Sequence, residues 1–239
     1  MKYLYGPVQS RRLGLSLGIS LTPHKVCSFD CVYCQLGGTT LKVRERKNYL
    51  EVKEIISELK EFLKDYGAPS SIDCISLSGF GEPTLHAGIA GLIREIKKLA
   101  PSISLVLITN ASLFFDSLLR RDVSGVDVIV PSLDAVTRDI FEQIDRPLAE
   151  ITIEEVIEGL AALRKEFKGK IFLEIMLVKG INDSIEYAYK FKEAIEKIAP
   201  DKIQLNTPVR STAESWVEPP GKERLLQIKK ILGAKCEII

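Results

Sequence analysis

The sequence has no apolar run approaching the roughly 18–20 residues that a membrane-spanning helix needs. Residues 1–7 lack the apolar core and the small-residue cleavage site of a secretory signal. Lys and Arg number 33 against 32 Asp and Glu, so the net charge of +1 gives no global attraction to nucleic acid or to an acidic membrane. These absences predict a cytoplasmic protein that does not associate with membranes.

Cysteine is also scarce, since the 239 residues include only five, and three of these lie close together. An odd number in a cytoplasmic protein is poorly explained by disulfides. Cys27, Cys31 and Cys34 have the spacing Cys-x3-Cys-x2-Cys in a single loop. Three thiolates from one tight loop can bind three corners of an iron–sulfur cube, which leaves the fourth iron with an open coordination position.

The three cysteines would also suit a metal site with four protein ligands. His24 would complete a structural zinc site. A fourth thiolate from Cys74 or Cys236 would complete an electron-transfer cluster, which predicts an iron–sulfur electron carrier rather than an enzyme. However, Cys74 lies within an apolar run and is better explained as a small buried side chain, and we expect a structural role for Cys236 as well.

Short apolar runs alternate with longer amphipathic ones throughout the chain, without repeats or linkers, so we expect one domain over residues 1–239. The runs predict strands at 17–21, 72–78, 103–108, 126–130, 171–178 and 202–205, with a short final strand at 236–239. The amphipathic segments predict helices at 51–66, 89–99, 113–121, 153–167, 185–198 and 223–232. This alternation predicts an α/β fold with a parallel sheet, as either a partial (β/α)6 barrel or a doubly wound sheet. Both place the site at the carboxyl ends of the strands.

Polar residues and glycines follow several of these strands. After the second strand, Gly79 and Gly81 would let the backbone approach a ligand, and Glu82 could accept hydrogen bonds from an ammonium group. A plain turn is the alternative for this segment. Ser132 and Asp134 follow the fourth strand and share one side by alternation, so they either contact a ligand or cap the next short helix.

Three further strand ends carry candidates. Asn110, after the third strand, either contacts a ligand or caps the third helix. Glu174 is the only charged residue in the fifth strand, where an ionised carboxylate is costly unless paired. We expect it to face the interior, and we take it as a catalytic candidate together with Lys179 at the mouth. Asn206 ends the sixth strand on the same face as Gln204.

The cysteine spacing, with the aromatic Tyr33 before the last cysteine, resembles the radical S-adenosylmethionine (radical SAM) superfamily. The resemblance covers roughly residues 17–208, which would be the catalytic core between two short extensions. It implies a partial (β/α)6 barrel with the cluster loop after the first strand, and a [4Fe–4S] cluster whose open iron binds the amino and carboxylate groups of SAM. One electron would then cleave SAM to methionine and a 5′-deoxyadenosyl radical that abstracts hydrogen from a substrate. An external flavodoxin- or ferredoxin-like donor would supply the electron.

The resemblance also assigns roles to individual residues. The cluster ligands would be Cys27, Cys31 and Cys34. The SAM-binding residues would be Tyr33, Gly79, Gly81, Glu82, Asn110, Ser132, Asp134 and Asn206. The match is imperfect at Phe80, which separates two glycines that are consecutive in many members.

The substrate is less constrained. The segments 10–14 (Ser-Arg-Arg-Leu-Gly), 35–37 and 81–84 look like small radical SAM proteins that are distantly similar to the tRNA wyosine-base synthase family. That similarity nominates tRNA, whereas a glycyl-radical activase of a protein partner and an enzyme for a small metabolite or peptide are alternatives. Arg11, Arg12 and the basic run 42–47 would bind an anion such as RNA phosphate, or form solvated surface.

Overall fold

The computed structural model describes residues 1–65 and 72–239. Its strands are β1 (Leu4–Ser10), β2 (Gly14–Ser20), β3 (Val26–Cys27), β4 (Leu41–Lys42), β5 (Cys74–Ser78), β6 (Ser104–Thr109), β7 (Val128–Pro131), β8 (Lys170–Met176), β9 (Lys202–Asn206) and β10 (Cys236–Ile238). Its helices are α1 (Val52–Asp65), α2 (Ile89–Leu99), α3 (Ser117–Asp122), α4 (Arg138–Ile144), α5 (Ile153–Glu166), α6 (Ile185–Ile198) and α7 (Lys222–Leu232), with a 3-10 turn at Pro83–Leu85. Residue 66, the last of the first predicted helix, lies outside the described residues.

The main sheet has eight strands in the order β1-β2-β5-β6-β7-β8-β9-β10. From β2 to β10 every neighbouring pair is parallel. Because the spatial order follows the chain order without reversal, the sheet winds in one direction, as in a barrel and unlike a doubly wound sheet. The prediction of a partial (β/α)6 barrel is confirmed, and the cysteine loop follows β2. The six barrel strands are β2, β5, β6, β7, β8 and β9.

The sequence patterns did not predict β1, which pairs antiparallel with β2 at one edge of the sheet. Its apolar alternation is broken by Gly6 and Pro7, and its register shifts between Tyr5 and Val8. An edge strand tolerates proline because one of its sides needs no ladder hydrogen bond. The hairpin turn that follows carries Arg11 and Arg12.

Most apolar side chains lie between the sheet and the surrounding helices. Helix α1 contributes Ile55, Ile56 and Leu59 to this layer, spaced for one face. A separate small cluster of Cys74, Val106 and Val130, one residue from each of three adjacent strands, fills part of the opposite face. Within the described parts of the chain, every helix falls short of the length and hydropathy needed to cross a bilayer.

Candidate functional site

The cysteine loop is held between the barrel edge and helix α4. Strand β3 ends at Cys27 and pairs with β4, where the main-chain oxygen of Cys27 accepts a 2.9 Å hydrogen bond from the amide of Val43. The amide of Cys34 donates to the oxygen of Cys31 at 3.1 Å, which closes the tight turn. The amide of Val32 donates to the oxygen of Ile144 at 2.9 Å and ties the loop to the end of α4. The loop therefore presents its three thiols from a fixed backbone.

Each of the three thiols has a polar partner. Asn110 Nδ2 lies 3.6 Å from Cys27 Sγ, the thiol of Cys31 donates to Asp145 Oδ1 at 3.6 Å, and Lys25 Nζ donates to Cys34 Sγ at 3.1 Å. Burial raises the pKa of Cys27 to about 12 and that of Cys31 well above its ordinary value. A cysteine that binds a metal must be a thiolate, and the cation of Lys25 stabilises that form beside a half-buried sulfur. This donor set fits an iron–sulfur cluster.

The alternatives to a three-cysteine cluster fit less well. In the described ranges, no three His, Cys, Asp or Glu side chains are grouped closely enough to hold a single metal ion. His24 packs its ring on Phe80, with 5.9 Å between ring centroids. Cys74 and Cys236 begin β5 and β10, whereas the cysteine loop follows the carboxyl end of β2. Both are buried, as a small apolar side chain would be.

Glu82 is the centre of a buried hydrogen-bond network. Its side chain is 2% exposed. One carboxylate oxygen accepts from the amide of Thr84 at 3.0 Å, from the hydroxyl of Thr84 at 2.6 Å and from the hydroxyl of Thr109 at 2.6 Å. The other accepts from the amide of Asn110 at 2.8 Å. Burial raises the pKa of Glu82, while these hydrogen bonds oppose the rise. The carboxylate thus joins the segment after β5 to the end of β6, and it has four protein donors already.

The two glycines before Glu82 are needed for close packing. Gly79 has φ +111°, and a Cβ there would lie 2.9 Å from the side chain of Ser20. A Cβ on Gly81 would lie 1.9 Å from the main-chain oxygen of Val26 and 2.6 Å from Thr22 Oγ1. Gly81 therefore lets this segment lie directly against the cysteine loop. The intervening Phe80 is partly exposed.

Asn110 connects the end of β6 to the cysteine loop. Besides its contact with Cys27, its Nδ2 donates to Ser28 Oγ at 2.9 Å, and its Oδ1 accepts from the amide of Ser112 at 3.1 Å. Helix α3 is capped by Asp116, so the capping alternative for Asn110 is wrong. Asn110 therefore lies beside Cys27, one of the three predicted cluster ligands.

The carboxylate of Asp134 is buried near that of Asp145. Its Oδ1 accepts from the amide of Met176 at 2.7 Å, and its Oδ2 accepts from the hydroxyl of Tyr33. Burial raises the pKa of Asp134 to about 6. The pKa of Asp145 is raised well above its usual range, by burial and by the charge of Asp134. Helix α4 is capped by Thr137, so neither Ser132 nor Asp134 caps it.

Ser132 directly follows β7 and Asn206 ends β9, so the two residues lie on either side of β8. Ser132 bridges β7 to β8 opposite Glu174, and its amide donates to the oxygen of Thr109 at 2.9 Å. Asn206 is buried at the end of β9, and its Oδ1 accepts a 2.8 Å hydrogen bond from Arg11. The predicted SAM-binding residues therefore lie after β2, β5, β6 and β7 and at the end of β9. Which of them contact SAM stays a prediction.

The two catalytic candidates have ion-pair partners. Glu174 pairs with Arg12, and their side chains are only 11% and 18% exposed. The expectation that Glu174 would need a partner is thus met by a residue of the β1–β2 turn. Lys179 lies at the surface and pairs with Glu218 at 2.7 Å, which raises the pKa of Lys179. Both remain predictions as catalytic residues.

Sequence patterns did not indicate a role for Lys25 or Asp145, whose side chains contact the thiols of Cys34 and Cys31. Lys25 precedes Cys27 by two positions, so its place inside the loop was a usable signal. Asp145 lies 114 residues beyond Cys31, and its polarity after α4 resembles that of any helix end. Only the folded chain brings it to the cysteines.

Comparison with known proteins agrees with this geometry. Residues 21–191 match the family model described as the Radical SAM superfamily. A protein named GTPase Obg from Brachyspira hyodysenteriae is 42% identical over 99% of this chain, which spans about a third (34%) of that relative. A UPF0026 protein from Methanocaldococcus jannaschii is 34% identical over the whole chain, which covers 73% of it. A probable dual-specificity RNA methyltransferase RlmN from Thermotoga petrophila is 29% identical over 89% of this chain and 61% of its own length.

Solved structures share the fold. A radical SAM methyltransferase from Sphaerobacter thermophilus has a TM-score of 0.73 at 19% identity, over 94% of this chain and 65% of that one. TYW1 with a lysine–pyruvate adduct has a TM-score of 0.66 at 19% identity, over 91% of this chain and 72% of that one. These structures share the fold, and the family-model match over residues 21–191 shows that the chain belongs to the radical SAM superfamily.

Proposed function

We propose that this chain is an enzyme that reductively cleaves SAM at a [4Fe–4S] cluster held by Cys27, Cys31 and Cys34. The resulting 5′-deoxyadenosyl radical would abstract hydrogen from a substrate. The observation that carries the proposal is that one loop presents three thiols, two of which have hydrogen-bond donors beside them. The amide of Asn110 lies beside Cys27, and the ammonium group of Lys25 lies beside Cys34.

The residues of the chain have separable tasks in this reaction. When bound, the cluster supplies one electron and SAM supplies the group that abstracts hydrogen. The three cysteines would hold iron, and Lys25 would offset the negative charge of their half-buried thiolates. Glu82 keeps Asn110 and the glycine segment in position through its hydrogen bonds with the backbone. Ser132 after β7 and Asn206 at the end of β9 would supply polar groups for SAM.

Anaerobic reconstitution with iron and sulfide, followed by SAM and a strong reductant, tests the proposal. We expect 5′-deoxyadenosine and methionine in the product mixture. An iron–sulfur electron carrier would show a cluster spectrum without SAM binding or SAM cleavage. A fully loaded protein that forms no 5′-deoxyadenosine would therefore contradict the proposed chemistry and favour the carrier.

For the substrate we propose RNA, with tRNA as the first candidate. Support comes from relatives named as RNA methyltransferases and from the fold shared with TYW1. Arg11 and Arg210 are exposed, and Arg11 is hydrogen-bonded to Asn206 while Arg210 donates to Gln35 Oε1 at 2.8 Å, next to Cys34. Both cations thus flank the strand ends where the radical would form, and phosphate is the anion such side chains bind in RNA.

Binding of tRNA at several salt concentrations tests this assignment. We expect affinity to fall as salt rises, and Arg210→Ala to reduce the steepness of that dependence by about one phosphate contact. Lys192→Ala, on the outer surface of α6, is the matched control. Deuterium transfer from a labelled protein or peptide into 5′-deoxyadenosine, with none from tRNA, would favour the activase or peptide alternative.

A further inference from the structure

A cationic and apolar surface patch lies on the outer side of the cysteine loop. We call it the Arg44 patch, and it consists of Lys42, Arg44, Phe115 and Leu118. The guanidinium of Arg44 lies 4.3 Å from the centroid of the Phe115 ring. Phe115 is 40% exposed and Leu118 is 52% exposed. A surface cavity of about 260 Å³ lies here, lined in part by Arg44 and Phe115.

The two cations of the patch, Lys42 and Arg44, donate hydrogen bonds to main-chain oxygens. Lys42 Nζ donates to the main-chain oxygen of Arg146 at 2.9 Å, and Arg44 donates to that of Glu150 at 3.0 Å. Neither carbonyl carries a formal charge, so these contacts leave the positive field of the patch in place. The cavity is also lined by Asp116, which caps α3, and by Arg46, which pairs with Asp122 at 2.7 Å. Lys42, Arg44 and Arg46 therefore face two carboxylates, which leaves one excess positive charge.

The patch is separated from the proposed cluster site only by the backbone of the cysteine loop. Lys42 is the β4 residue paired with Cys27, and Val43 donates its amide to the Cys27 oxygen. Phe115 and Glu150 precede helices α3 and α5, so the patch lies on the helix side of the loop. A substrate for hydrogen abstraction must reach the strand ends inside the barrel, whereas an electron can enter through the loop itself.

We propose that the Arg44 patch is the docking surface for a small acidic one-electron carrier of the flavodoxin or ferredoxin type. This inference rests on the proposed function. One electron passes from the reduced carrier to the cluster; the carrier is oxidised by one electron, the cluster is reduced by one, and no bond forms or breaks. An acidic carrier complements Lys42 and Arg44 in charge, and the exposed ring of Phe115 and methyl groups of Leu118 suit a contact around its redox group.

The test measures cluster reduction by stopped flow in the reconstituted chain, with a reduced acidic flavodoxin as the carrier. In Arg44→Glu we expect the second-order rate constant at low salt to fall by about tenfold or more, because charge complementarity acts mainly on association rates. Arg44→Gln keeps a hydrogen-bond donor for Glu150 and should show a smaller loss, as should Phe115→Ala. Lys192→Glu, on α6, is the charge-matched control and should react like the wild type.

Photoreduced deazaflavin, a small reductant, separates the docking surface from the chemistry. All variants should still form 5′-deoxyadenosine with it at wild-type rates. If they do but flavodoxin also reduces Arg44→Glu at the wild-type rate, the docking proposal is overturned while the proposed function stands. Loss of tRNA binding in Arg44→Glu with unchanged flavodoxin kinetics would likewise overturn it and assign the patch to RNA. Absence of 5′-deoxyadenosine in the wild type would instead reject the proposed function.

Discussion

The ammonium group of Lys25 lies 3.1 Å from the sulfur of Cys34, and the Lys25 residue is only 2% exposed. A positive charge at this distance favours the more negative, reduced state of a cluster bound through that sulfur. The contact therefore connects a residue outside the cysteine motif to the electron affinity of the site.

Lys25→Met should make the midpoint potential of the cluster more negative. Loss of a charge-assisted hydrogen bond of about 1.5 kcal/mol corresponds to roughly 60 mV for one electron. A redox titration followed by electron paramagnetic resonance measures the shift. Lys25→Arg retains the charge and should shift the potential less; an equal shift in both variants would mean that shape rather than charge is responsible.

Replacing any one of Cys27, Cys31 and Cys34 by Ala should abolish stable cluster binding. Two remaining thiolates cannot hold three corners of the cube. Iron content and visible absorption after reconstitution measure the loss. Cys74→Ala is the matched control, because that thiol lies at the other end of its strand and donates to the oxygen of Leu13 at 3.7 Å. Loss of the cluster in Cys74→Ala, with retention in Cys34→Ala, would contradict the assignment.

Glu82→Gln should destabilise the apo protein by roughly 1–3 kcal/mol, because the NH2 group that replaces one carboxylate oxygen cannot accept a hydrogen bond and faces either the Asn110 amide or the donors of Thr84 and Thr109. Urea unfolding measures the difference. Glu95→Gln, in an exposed pair with Lys98 on α2, should leave stability close to that of the wild type. Unchanged stability in Glu82→Gln with weakened SAM binding would show that Glu82 contacts SAM directly.

Arg12→Ala should destabilise the chain by about 3–5 kcal/mol, since it leaves the carboxylate of Glu174 buried without its partner. The double variant Arg12→Met, Glu174→Met should recover much of this loss, because it removes both buried charges. Unfolding free energies of the wild type, Arg12→Met, Glu174→Met and the double variant form the necessary cycle. Additive losses in that cycle would show that the two side chains do not interact.

Asp134 should make the apo protein more stable in mild acid. Its folded pKa of about 6 exceeds the ordinary value of 3.8, so the folded state binds the proton more tightly. The stability from this group is complete below pH 3.8 and is lost as pH rises through 6, by about 1 kcal/mol between pH 5 and 7. Asp134→Asn should remove that part of the pH dependence. Parallel slopes for the two proteins in urea unfolding would refute the raised pKa.

The sequence predicted well those features that depend on local periodicity and spacing. The six barrel strands and the cysteine motif follow from nearest neighbours along the chain, and the structure confirms the strands to within a few residues. The pairing of Glu174 with Arg12 could not be predicted from the sequence, because it depends on the position of the β1–β2 turn relative to β8 in the folded chain. The same holds for Asp134, whose alternation with Ser132 suggested a shared ligand but whose carboxylate is directed at Tyr33 and Met176.

The β1–β2 turn has a consequence for the order in which the molecule can be completed. Arg11 donates at 3.0 Å to the oxygen of Ile239, 228 positions away, and so joins the first edge of the sheet to the last. A contact of such sequence separation cannot form during synthesis until residue 239 has left the ribosome. The three thiols are available from residue 34 onward. Iron could therefore reach the three thiols on a nascent chain before the two edges of the sheet are joined.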